Sequence, residues 1–506
     1  MPASTSMTPS TPGTSGTPGV PAALDAVIAE LVAELGGEQV ITDRQRRRTY
    51  ECDGLAAYRV VPGVVVLAQD AGDVATAVRA CARHGVPFVA RGSGTGLSGG
   101  ALPHAAGALV VMSQMRAIRE VDVEGQRAVV EPGVINLQLT AATSPDGYYF
   151  APDPSSQSVC SIGGNVAENS GGAHCLKYGF TTNHVTGLDL VTPGGEQVEI
   201  GGKAPDAPGY DLLGALVGSE GTLGIVTAAT VRLTRLPQEV RTLLAAFRSM
   251  DDAGAATSAI IAAGVIPAAI EMMDALAIEA AEAAVHCNYP AGAGAVLVVE
   301  LDGPSPDVAG EFDDVVRLCE AAGAFEVRVA ADDDERALIW KGRKSAFAAV
   351  GRISPDYIVQ DGVIPRTALP LVLRQIAELG ESAGVRVANV FHAGDGNLHP
   401  LVLFDGSVEG AVDRAEAVAG GILDLCLEHG GSITGEHGVG ADKAKHMPRM
   451  FTADDLDTMQ AVRCAFDPDG ISNPGKVFPT PRLCGERPGR HQGAHPLAES
   501  GVAEVF

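Results

Sequence analysis

The chain has 506 residues, of which 46% are hydrophobic and 19% are charged, enough to bury the cores of two or three domains. Lysine and arginine number 36 against 62 aspartates and glutamates, which gives a formal net charge of −26. A surface of this sign repels phosphate backbones and anionic lipids. Nucleic-acid binding is therefore not among the expected functions, and an anionic substrate would need a local positive site.

The nine cysteines are dispersed and include no C-x-x-C pair, which argues against a disulfide framework, a zinc ribbon or an iron–sulfur cluster. We expect reduced, mostly buried thiols. No apolar run is long enough to span a bilayer, and no secretory signal pattern opens the chain. These features predict a cytoplasmic protein without a transmembrane segment. Segments 1–22 and 480–506, rich in small residues and proline, are predicted to be disordered tails.

Residues 23–58 carry helical spacing and form a predicted N-terminal helical segment, which precedes a first domain at 59–238. The first predicted elements of that domain, in chain order, are a strand (Val64–Ala68), a helix (from Asp73 to the stop at Gly85) and a second strand (Val86–Ala90). This βαβ unit runs directly into a glycine-rich loop.

Antiparallel strands are predicted to follow. They are two hairpins (Arg119–Val123 with Arg127–Glu131, and Leu188–Thr192 with Glu196–Ile200) and a long strand (Leu223–Leu236). We place a domain boundary at Pro237. Residues 239–446 alternate alanine-rich helices with short strands such as Ala295–Leu301 and Phe325–Ala330, which predicts a separate α+β domain. A C-terminal segment, 447–479, comes after it.

The loop Arg91–Gly100 contains a G-x-G-x-x-G match at Gly94, Gly96 and Gly99. A Rossmann loop must open directly into a helix whose N-terminus holds the pyrophosphate. Here Pro103 and Gly107 break the next segment, and Leu109–Met112 resumes as a strand. The glycines are therefore expected to wrap a pyrophosphate with backbone N–H groups and no Rossmann helix. A flexible surface loop is the alternative.

Further long motifs follow in order: Pro152–Ser156, Cys160–Gly172, Lys177–Gly179 and Gly218–Ile225. With the glycine loop they resemble the FAD-binding fold shared by vanillyl-alcohol oxidase and p-cresol methylhydroxylase. The branch they resemble contains D-lactate dehydrogenases, D-2-hydroxyglutarate dehydrogenases and the D subunit of glycolate oxidase. The resemblance implies an α+β protein: a two-subdomain FAD-binding fold at 59–238, an α+β substrate or cap domain with a metal site at 239–446, and a segment at 447–479 that returns to the FAD domain.

The same resemblance implies which residues hold the FAD. They are Arg91, Gly92, Ser93, Gly94, Thr95, Gly96, Leu97 and Ser98 in the glycine loop, and Pro152, Ser161, Gly164, Asn165, Asn169, Gly221, Ile225 and Asn473 beyond it. Relatives that bind flavin covalently often carry a histidine in this loop. Ser93 and Thr95 stand there instead, so we expect non-covalent FAD.

The spacing of two histidines predicts a metal site. Val385–Val390 and Leu398–Phe404 read as strands joined by a turn at 394–397, which would place His392 directly opposite His399. Opposed residues on one sheet face have Cβ atoms ~4.5–5.5 Å apart, so both imidazoles could hold one ion. Glu436 is the candidate anionic third ligand. His437 is not expected to aim at the same point as its neighbour, which leaves it free as a base. The alternative makes all four ordinary polar residues in tight turns.

The resemblance supports these roles and adds two. It implies that His392, His399 and Glu436 hold a divalent ion such as zinc, manganese or iron, and that His437 takes the proton of the substrate hydroxyl while hydride passes to flavin N5. Arg343 matches the arginine that holds the substrate carboxylate, and a guanidinium fork suits that task. Asn397 is expected to touch the substrate.

The expected activity is oxidation of a small 2-hydroxy acid, with glycolate or D-lactate favoured over D-2-hydroxyglutarate. Electrons would leave to a quinone, a cytochrome or an iron–sulfur subunit, with the chain working as a homo-oligomer or as one subunit of a complex that could lie at the inner membrane. Two other activities stay open. One is a non-redox FAD transferase of the alkyl-dihydroxyacetonephosphate synthase type, and the other is a zinc hydrolase with a structural flavin.

Overall fold

The computed structural model describes residues 20–204 and 209–479. The helices are α1 (Val20–Leu35), α2 (Arg44–Arg47), α3 (Ala71–His84), α4 (Asn136–Thr143), α5 (Ile162–Glu168), α6 (Cys175–Tyr178), α7 (Leu212–Leu216), α8 (Met250–Ala262), α9 (Ala275–Val285), α10 (Ser305–Ala321), α11 (Asp333–Val350), α12 (Leu369–Ala383), α13 (Ala411–Glu428), α14 (Met447–Met450) and α15 (Ala453–Phe466). The strands are β1 (Val40–Ile41), β2 (Val64–Leu67), β3 (Phe88–Arg91), β4 (Ala108–Val111), β5 (Ile118–Asp122), β6 (Arg127–Val130), β7 (Tyr148–Tyr149), β8 (Val185–Val191), β9 (Gln197–Gly201), β10 (Ile225–Arg232), β11 (Thr234–Arg235), β12 (Glu239–Phe247), β13 (Ala269–Asp274), β14 (Ala295–Gly303), β15 (Glu326–Val329), β16 (Asp356–Val359), β17 (Gly362–Val363), β18 (Arg386–His392), β19 (Asn397–Leu398) and β20 (Pro400–Phe404).

The βαβ unit forms the first sheet, in the order β1-β2-β4-β3, with β2 and β3 both parallel to β4. Helix α3 connects β2 to β3. The Asp70 side chain caps its N-terminus by accepting from Asp73 N, and Gly85 ends it in the left-handed region at φ 62. Between β3 and β4 the chain forms no helix, as the breaks at Pro103 and Gly107 predicted.

The second sheet is antiparallel, in the order β5-β6-β10-β8-β9, and contains both predicted hairpins. The predicted strand Leu223–Leu236 is interrupted. It ends as β10 at Arg232, and the short β11 then pairs with β7 rather than with this sheet. The first and second sheets, with their helices, are called the first domain below.

The second domain is built on a large sheet whose order is β15-β12-β14-β13-β18-β19-β17, with β20 beside β18 and β16 beside β20. Alternate residues of its central strands face opposite sides, so Leu243 and Phe247 enter one apolar core and Leu244 and Ala246 enter the other. Helices α8, α10, α12 and α13 cover the first side, and α9 and α11 cover the second. The mixed sheets and helices confirm the α+β expectation.

The chain then returns to the first sheet. Ser472 forms a parallel bridge with Phe88 of β3, the Asn473 amide donates to Phe88 O (2.8 Å), and Phe88 N donates to Ile471 O (2.9 Å). Residues 471–473 therefore extend the first sheet at the edge formed by β3, and the C-terminal segment returns to the first domain.

Two expectations are corrected by the described residues. Helix α1 begins at Val20, inside the segment 1–22 that was expected to be a tail, and the rest of both predicted tails lies outside the described residues. Seven described cysteines are free thiols, six of them buried, but Cys464 is disulfide-bonded, because spacing along the chain does not report which thiols meet in space. Within 20–204 and 209–479, no helix has the length and apolarity needed to cross a bilayer.

Candidate cofactor cleft and metal site

A cleft lies between the glycine loop, the segment 160–170 and the segment 219–226, and its far end is closed by Glu436 and His437 of the second domain. The predicted cofactor residues that line it are Gly92, Ser93, Gly94, Thr95, Gly96, Leu97, Ser161, Gly164, Asn165, Gly221 and Ile225. The glycine loop and the Glu436-His437 motif, which are far apart in the sequence, therefore line the same cleft.

The backbone packing of the cleft fits a phosphate-rich cofactor. A Cβ on Gly92 would lie 2.2 Å from Ser161 Oγ, so the loop and the start of α5 approach each other more closely than side chains allow. Gly94 has φ 70, a conformation that exposes successive N–H groups in a concave loop. At Gly221 a Cβ would make ordinary van der Waals contact, 3.8 Å from Ala90 Cβ, so its φ of 70 rather than lack of space favours glycine there. These residues fit FAD as the resemblance implied.

Five predicted cofactor residues do not line the cleft. Arg91 donates from Nη1 to Cys52 O (2.7 Å). Ser98 is buried, and its carbonyl accepts from the segment that follows His437. The Pro152 carbonyl accepts from Asn136 Nδ2 (3.0 Å).

The other two of these five are asparagines with positive φ. Asn169 ends α5 in the left-handed region, and its Oδ1 accepts from Thr182 N (2.9 Å). Asn473 donates from Nδ2 to Gly100 O (2.9 Å) and to Glu220 O (2.6 Å). These contacts are with other parts of the protein, and the direct contact of all five with FAD stays a prediction.

Three imidazoles surround one carboxylate oxygen at the closed end. Glu436 Oε1 lies 3.0 Å from His399 Nε2, 3.4 Å from His392 Nε2 and 3.6 Å from His437 Nε2. Glu436, His392 and His399 are each more than nine-tenths buried, and Glu436 Oε2 makes no hydrogen bond among the described residues. Imidazole nitrogens around one carboxylate oxygen, with the second oxygen buried and without a hydrogen bond, form the donor set expected of a divalent-metal site.

The predicted hairpin register is wrong by two residues. His392 is opposite Asn397, and Asn389 is opposite Pro400, so His399 lies diagonally from His392 rather than across from it. A slip of two residues keeps side chains on the same sheet face, whereas a slip of one would separate them. The two rings consequently still meet, with centroids 5.0 Å apart.

The orientation of His437 also differs from the expectation. Its Nε2 does aim at the carboxylate of its own neighbour, Glu436, and its ring stacks on His399 with centroids 5.1 Å apart and an interplanar angle of 17°. Burial lowers the pKa of His437 despite the nearby carboxylates, so its ring is neutral near pH 7 and able to accept a proton.

Sequence reasoning missed Asp361, which is fully buried beneath this loop. Its carboxylate accepts from the amides of Gly435, Glu436 and His437, from Thr434 Oγ1 (2.6 Å) and from Lys443 Nζ (3.1 Å). Burial opposes its ionisation, but the charges of Lys443, His437 and His399 together outweigh burial and lower the pKa of Asp361. Asp361, His399, Glu436 and His437 offer ligand atoms within 4.8 Å of one another. Because its oxygens already accept five hydrogen bonds, Asp361 is better suited to fixing the loop than to binding an ion.

Glu271 was also missed. It is directly opposite His392 on the adjacent strand, and its Oε1 lies 2.7 Å from His392 Nδ1. Burial alone would lower the pKa of His392, but the charges and hydrogen bonds of Glu271 and Glu436 together outweigh burial and raise that pKa well above its usual value. Glu271 Oε2 lies 2.5 Å from Arg343 Nη2. Arg343, the predicted anchor of the substrate carboxylate, is therefore already in an ion pair with Glu271. It lines a small cleft together with His392 and Trp340.

The last predicted site residue, Asn397, packs against the loop that carries Glu436 and His437. A Cβ on Gly435 would lie 2.5 Å from Asn397 Cγ, so only glycine fits there. Asn397 is 2% exposed, lines neither cleft, and its Oδ1 makes no hydrogen bond among the described residues. Its substrate contact stays a prediction.

Two further buried carboxylates, Glu168 and Glu220, line the cofactor cleft beside the residue that follows His437. Burial, and then the charge of Glu220, raise the pKa of Glu168 well above its usual value. Burial raises the pKa of Glu220 to about 7, against the hydrogen bonds that it accepts from Val439 N (2.6 Å) and Gly440 N (2.7 Å).

A polar network joins the two domains on another side of the cleft. His174 lies between two carboxylates, with Nδ1 2.7 Å from Asp153 Oδ2 and Nε2 3.2 Å from Glu300 Oε1. Glu300, almost fully buried, also accepts from Trp340 Nε1 (2.7 Å) and Arg336 Nε (2.9 Å). Burial alone would lower the pKa of His174, but Asp153 and Glu300 outweigh it and raise the pKa to about 10. The imidazolium thus links the first domain to the second.

A sequence signal for the missed carboxylates does exist. Glu271 interrupts the apolar strand Ala269–Asp274, and Glu300 interrupts the apolar run 295–301. A charge within a buried strand is costly unless it is paired, so it indicates a built polar site. The partners themselves could not be named without the strand pairing.

Comparison with known proteins identifies the family. Residues 62–201 match an FAD binding domain, and residues 236–477 match the C-terminal domain of FAD linked oxidases. The glycolate oxidase subunit GlcD of Escherichia coli strain K12 is 50% identical over 461 residues, which cover 91% of this chain and 92% of that protein. The chain belongs to this family of FAD-linked oxidoreductases. Its cofactor is accordingly FAD.

Two more distant comparisons agree with this family. The mitochondrial D-lactate dehydrogenase [cytochrome] of Arabidopsis thaliana is 30% identical over 428 residues, covering 84% of this oxidoreductase and 74% of that protein. The structure of p-cresol methylhydroxylase with substrate bound superposes with a TM-score of 0.77 at 15% identity, covering 90% of this chain and 97% of that one. That likeness confirms the expected fold.

Proposed function

We propose that this FAD-linked oxidoreductase oxidises a small 2-hydroxy acid, glycolate or D-lactate, to the corresponding 2-oxo acid with the help of a divalent metal ion. The observation that carries the proposal is the convergence of His392, His399 and His437 on Glu436 Oε1 at the closed end of the FAD cleft. An acid–base group and a metal donor set at the end of a flavin cleft suit removal of a proton and a hydride from one carbon.

His392, His399 and Glu436 are the residues that would hold the ion. Two imidazole nitrogens and one carboxylate leave coordination positions free for a substrate, as in catalytic rather than structural metal sites. Such a donor set accepts zinc, manganese or iron. Glu271 fixes the ring of His392 through Nδ1, so that Nε2 faces the site.

The chain's own groups have distinct roles in the proposal. When bound, the ion would acidify the substrate hydroxyl and FAD would accept the hydride, held without a covalent link. His437 accepts the hydroxyl proton, since it is neutral and lines the FAD cleft. Arg343 binds the substrate carboxylate, and this requires its guanidinium to share its charge between Glu271 and the substrate. The proposed substrate is small because Arg343, Trp340 and His392 crowd the same narrow cleft.

The electron acceptor is proposed to be a second protein or a quinone. The relative from Escherichia coli is named as a subunit, so we extend that arrangement to this chain and propose that it works as a homo-oligomer or beside an electron-carrying partner such as a cytochrome or iron–sulfur subunit. In that arrangement the chain resides in the cytoplasm, at the inner membrane through its partner.

The test is anaerobic bleaching of the visible flavin band. Purified protein is mixed with glycolate, D-lactate, L-lactate or D-2-hydroxyglutarate before chelation, after chelation and after metal is restored. Bleaching by glycolate or D-lactate that is lost on chelation and restored by metal supports the proposal. Bleaching that persists after complete metal removal contradicts the metal's role. No bleaching by any acid, with FAD and metal present, contradicts the proposed reaction.

A further inference from the structure

The segment 435–442, called the base loop, carries Glu436 and His437, and three acceptors hold its backbone. Asp361 accepts from its first three amides, as described above. Glu220 accepts from the amides of Val439 and Gly440. Ser98 O accepts from Ala441 N (3.0 Å) and Asp442 N (3.1 Å).

These acceptors belong to different parts of the molecule. Asp361 lies beside β17 in the second domain, so it holds the first half of the base loop to its own domain. Glu220 and Ser98 belong to the first domain and hold the second half. His437 is therefore positioned from both domains at once. On the FAD side the loop is held by Glu220, by Ser98 O, by the Tyr58 hydroxyl, which donates to Asp442 Oδ1 (3.0 Å), and by Val477 N, which donates to Gly440 O (2.9 Å). Of these residues, Glu220 is the one that also lines the FAD cleft.

Glu220 is unusual in its own backbone. It is a non-glycine residue in the left-handed region, at φ 52, directly before Gly221, and it is only 5% exposed. Its carboxylate holds the base loop, its carbonyl accepts from Asn473 Nδ2, and its side chain lines the FAD cleft. One residue thus touches the cleft, the base loop and the C-terminal segment.

We infer that Glu220 is a positioning residue that couples occupancy of the FAD cleft to the order of the base loop. The inference rests on the proposed function for the identity of the base, but not for the coupling itself. FAD in the cleft orders the segment 219–226. Through Val439 and Gly440 the same carboxylate then restricts His437. Two buried amides that lose their acceptor are costly, so without this carboxylate the loop leaves its arrangement more often.

Glu168 does not provide the same link. A Cβ on Gly438 would lie 2.1 Å from Glu168 Oε2, so Glu168 packs against the loop. That oxygen accepts no hydrogen bond from the described residues. Glu220, which binds two loop amides in a buried setting, is the group that transmits position.

The experiment measures hydrogen–deuterium exchange of the peptide that contains residues 435–442, in the full-length holoenzyme and after FAD is removed. The variants are Glu220→Gln, which keeps one acceptor oxygen, and Glu220→Ala, which keeps none. Glu199→Gln is the matched control, because Glu199 is exposed on β9 and outside the cleft. A peptide from β12 reports global stability.

In the wild type and in Glu199→Gln we expect FAD to slow exchange of the base loop by at least about five-fold, the lower range of measured couplings. In Glu220→Gln we expect FAD to slow base-loop exchange by a smaller factor than in the wild type. In Glu220→Ala this factor should fall to near one, while exchange of the β12 peptide is unchanged. Equal FAD protection in Glu220→Ala and wild type overturns the inference, and so does an absence of protection in the wild type. If Glu220→Ala fails to fold, the test is whether FAD protects the base loop less in Glu220→Gln than in the wild type.

No substrate or metal enters this measurement. Failure of every 2-hydroxy acid to bleach the flavin would overturn the proposed function and leave the exchange result standing. Conversely, a base loop indifferent to FAD would overturn the coupling while the bleaching result stands.

Discussion

The Nδ1 atom of His392 lies 2.7 Å from Oε1 of Glu271, which is directly opposite it on the neighbouring strand. The contact fixes which ring nitrogen faces Glu436, because Nδ1 is already used. A carboxylate behind a metal-binding imidazole typically orients the ring and raises its basicity. Glu271 has a second contact, to Arg343, so one buried carboxylate adjusts both the proposed metal site and the proposed substrate anchor.

Replacing Glu271 with glutamine should weaken metal binding about 10- to 100-fold, because the His392 ring loses its fixed orientation. The measurement is metal retained after dialysis against a graded chelator. Glu326→Gln, on the exposed edge strand β15, is the control and should retain the metal of the wild type. Wild-type retention by Glu271→Gln would show that Glu271 does not support the site.

Replacing His437 with alanine should leave FAD and metal bound and slow flavin reduction by about 10²- to 10⁴-fold, the usual contribution of a positioned base. Stopped-flow absorbance under anaerobic conditions measures the rate. The flavin spectrum and the metal content of the same sample serve as its control. A rate near that of the wild type would remove His437 from the role of base.

Replacing Arg343 with alanine should raise the concentration of acid needed for half-saturation by about 10- to 100-fold, because a charge-assisted contact to the carboxylate is lost. The rate at saturation should change less. Lys341→Ala, on the exposed side of α11, is the matched control and should keep wild-type saturation. Unchanged saturation in Arg343→Ala would reject this residue as the anchor.

The His174 network predicts a pH dependence of stability. Because the pKa of His174 is raised to about 10, its protonation stabilises the folded protein fully below the unfolded value of about 6.5, and the contribution is lost as the pH rises through 10. The melting temperature of the wild type should therefore fall more between pH 7 and pH 10 than that of His174→Gln. His429→Gln is the control, because the described hydrogen bond of His429 is to Gln375 rather than to a carboxylate. Parallel curves for His174→Gln and wild type would contradict the assignment.

Local pattern was sufficient for the βαβ unit of the first sheet but not for β1, which lies in the segment 23–58 that was expected to be helical. The helix stop at Gly85 and the breaks at Pro103 and Gly107 predicted a βαβ unit that is not followed by a Rossmann helix. The structure contains this βαβ unit, and no helix follows β3. These features are encoded within a few residues, by turn chemistry and side-chain periodicity. The family and the FAD cofactor followed from long motifs that the comparisons confirm.

Pairings between distant segments were not predictable in the same way. The register of His392 against His399 was wrong by two residues because the local spacing does not show how the turn is closed. Asp361 and Glu220 accept hydrogen bonds from base-loop amides that are 75 and 219 residues away in the sequence. Their roles therefore depend on how distant segments pack, which local pattern does not show. Five residues that the motifs assigned to FAD are not among those that line the cleft, and their contact with FAD stays a prediction.

The return of the chain to its first sheet has a consequence for biosynthesis. Gly100 and Glu220 are held by Asn473, and the cleft that the glycine loop opens is closed by Glu436 and His437. Most of the polypeptide must therefore be synthesised before Glu436 and His437 can complete the cleft. A chain truncated before residue 435 would retain the glycine loop but lack the wall of the cleft that Glu436 and His437 form.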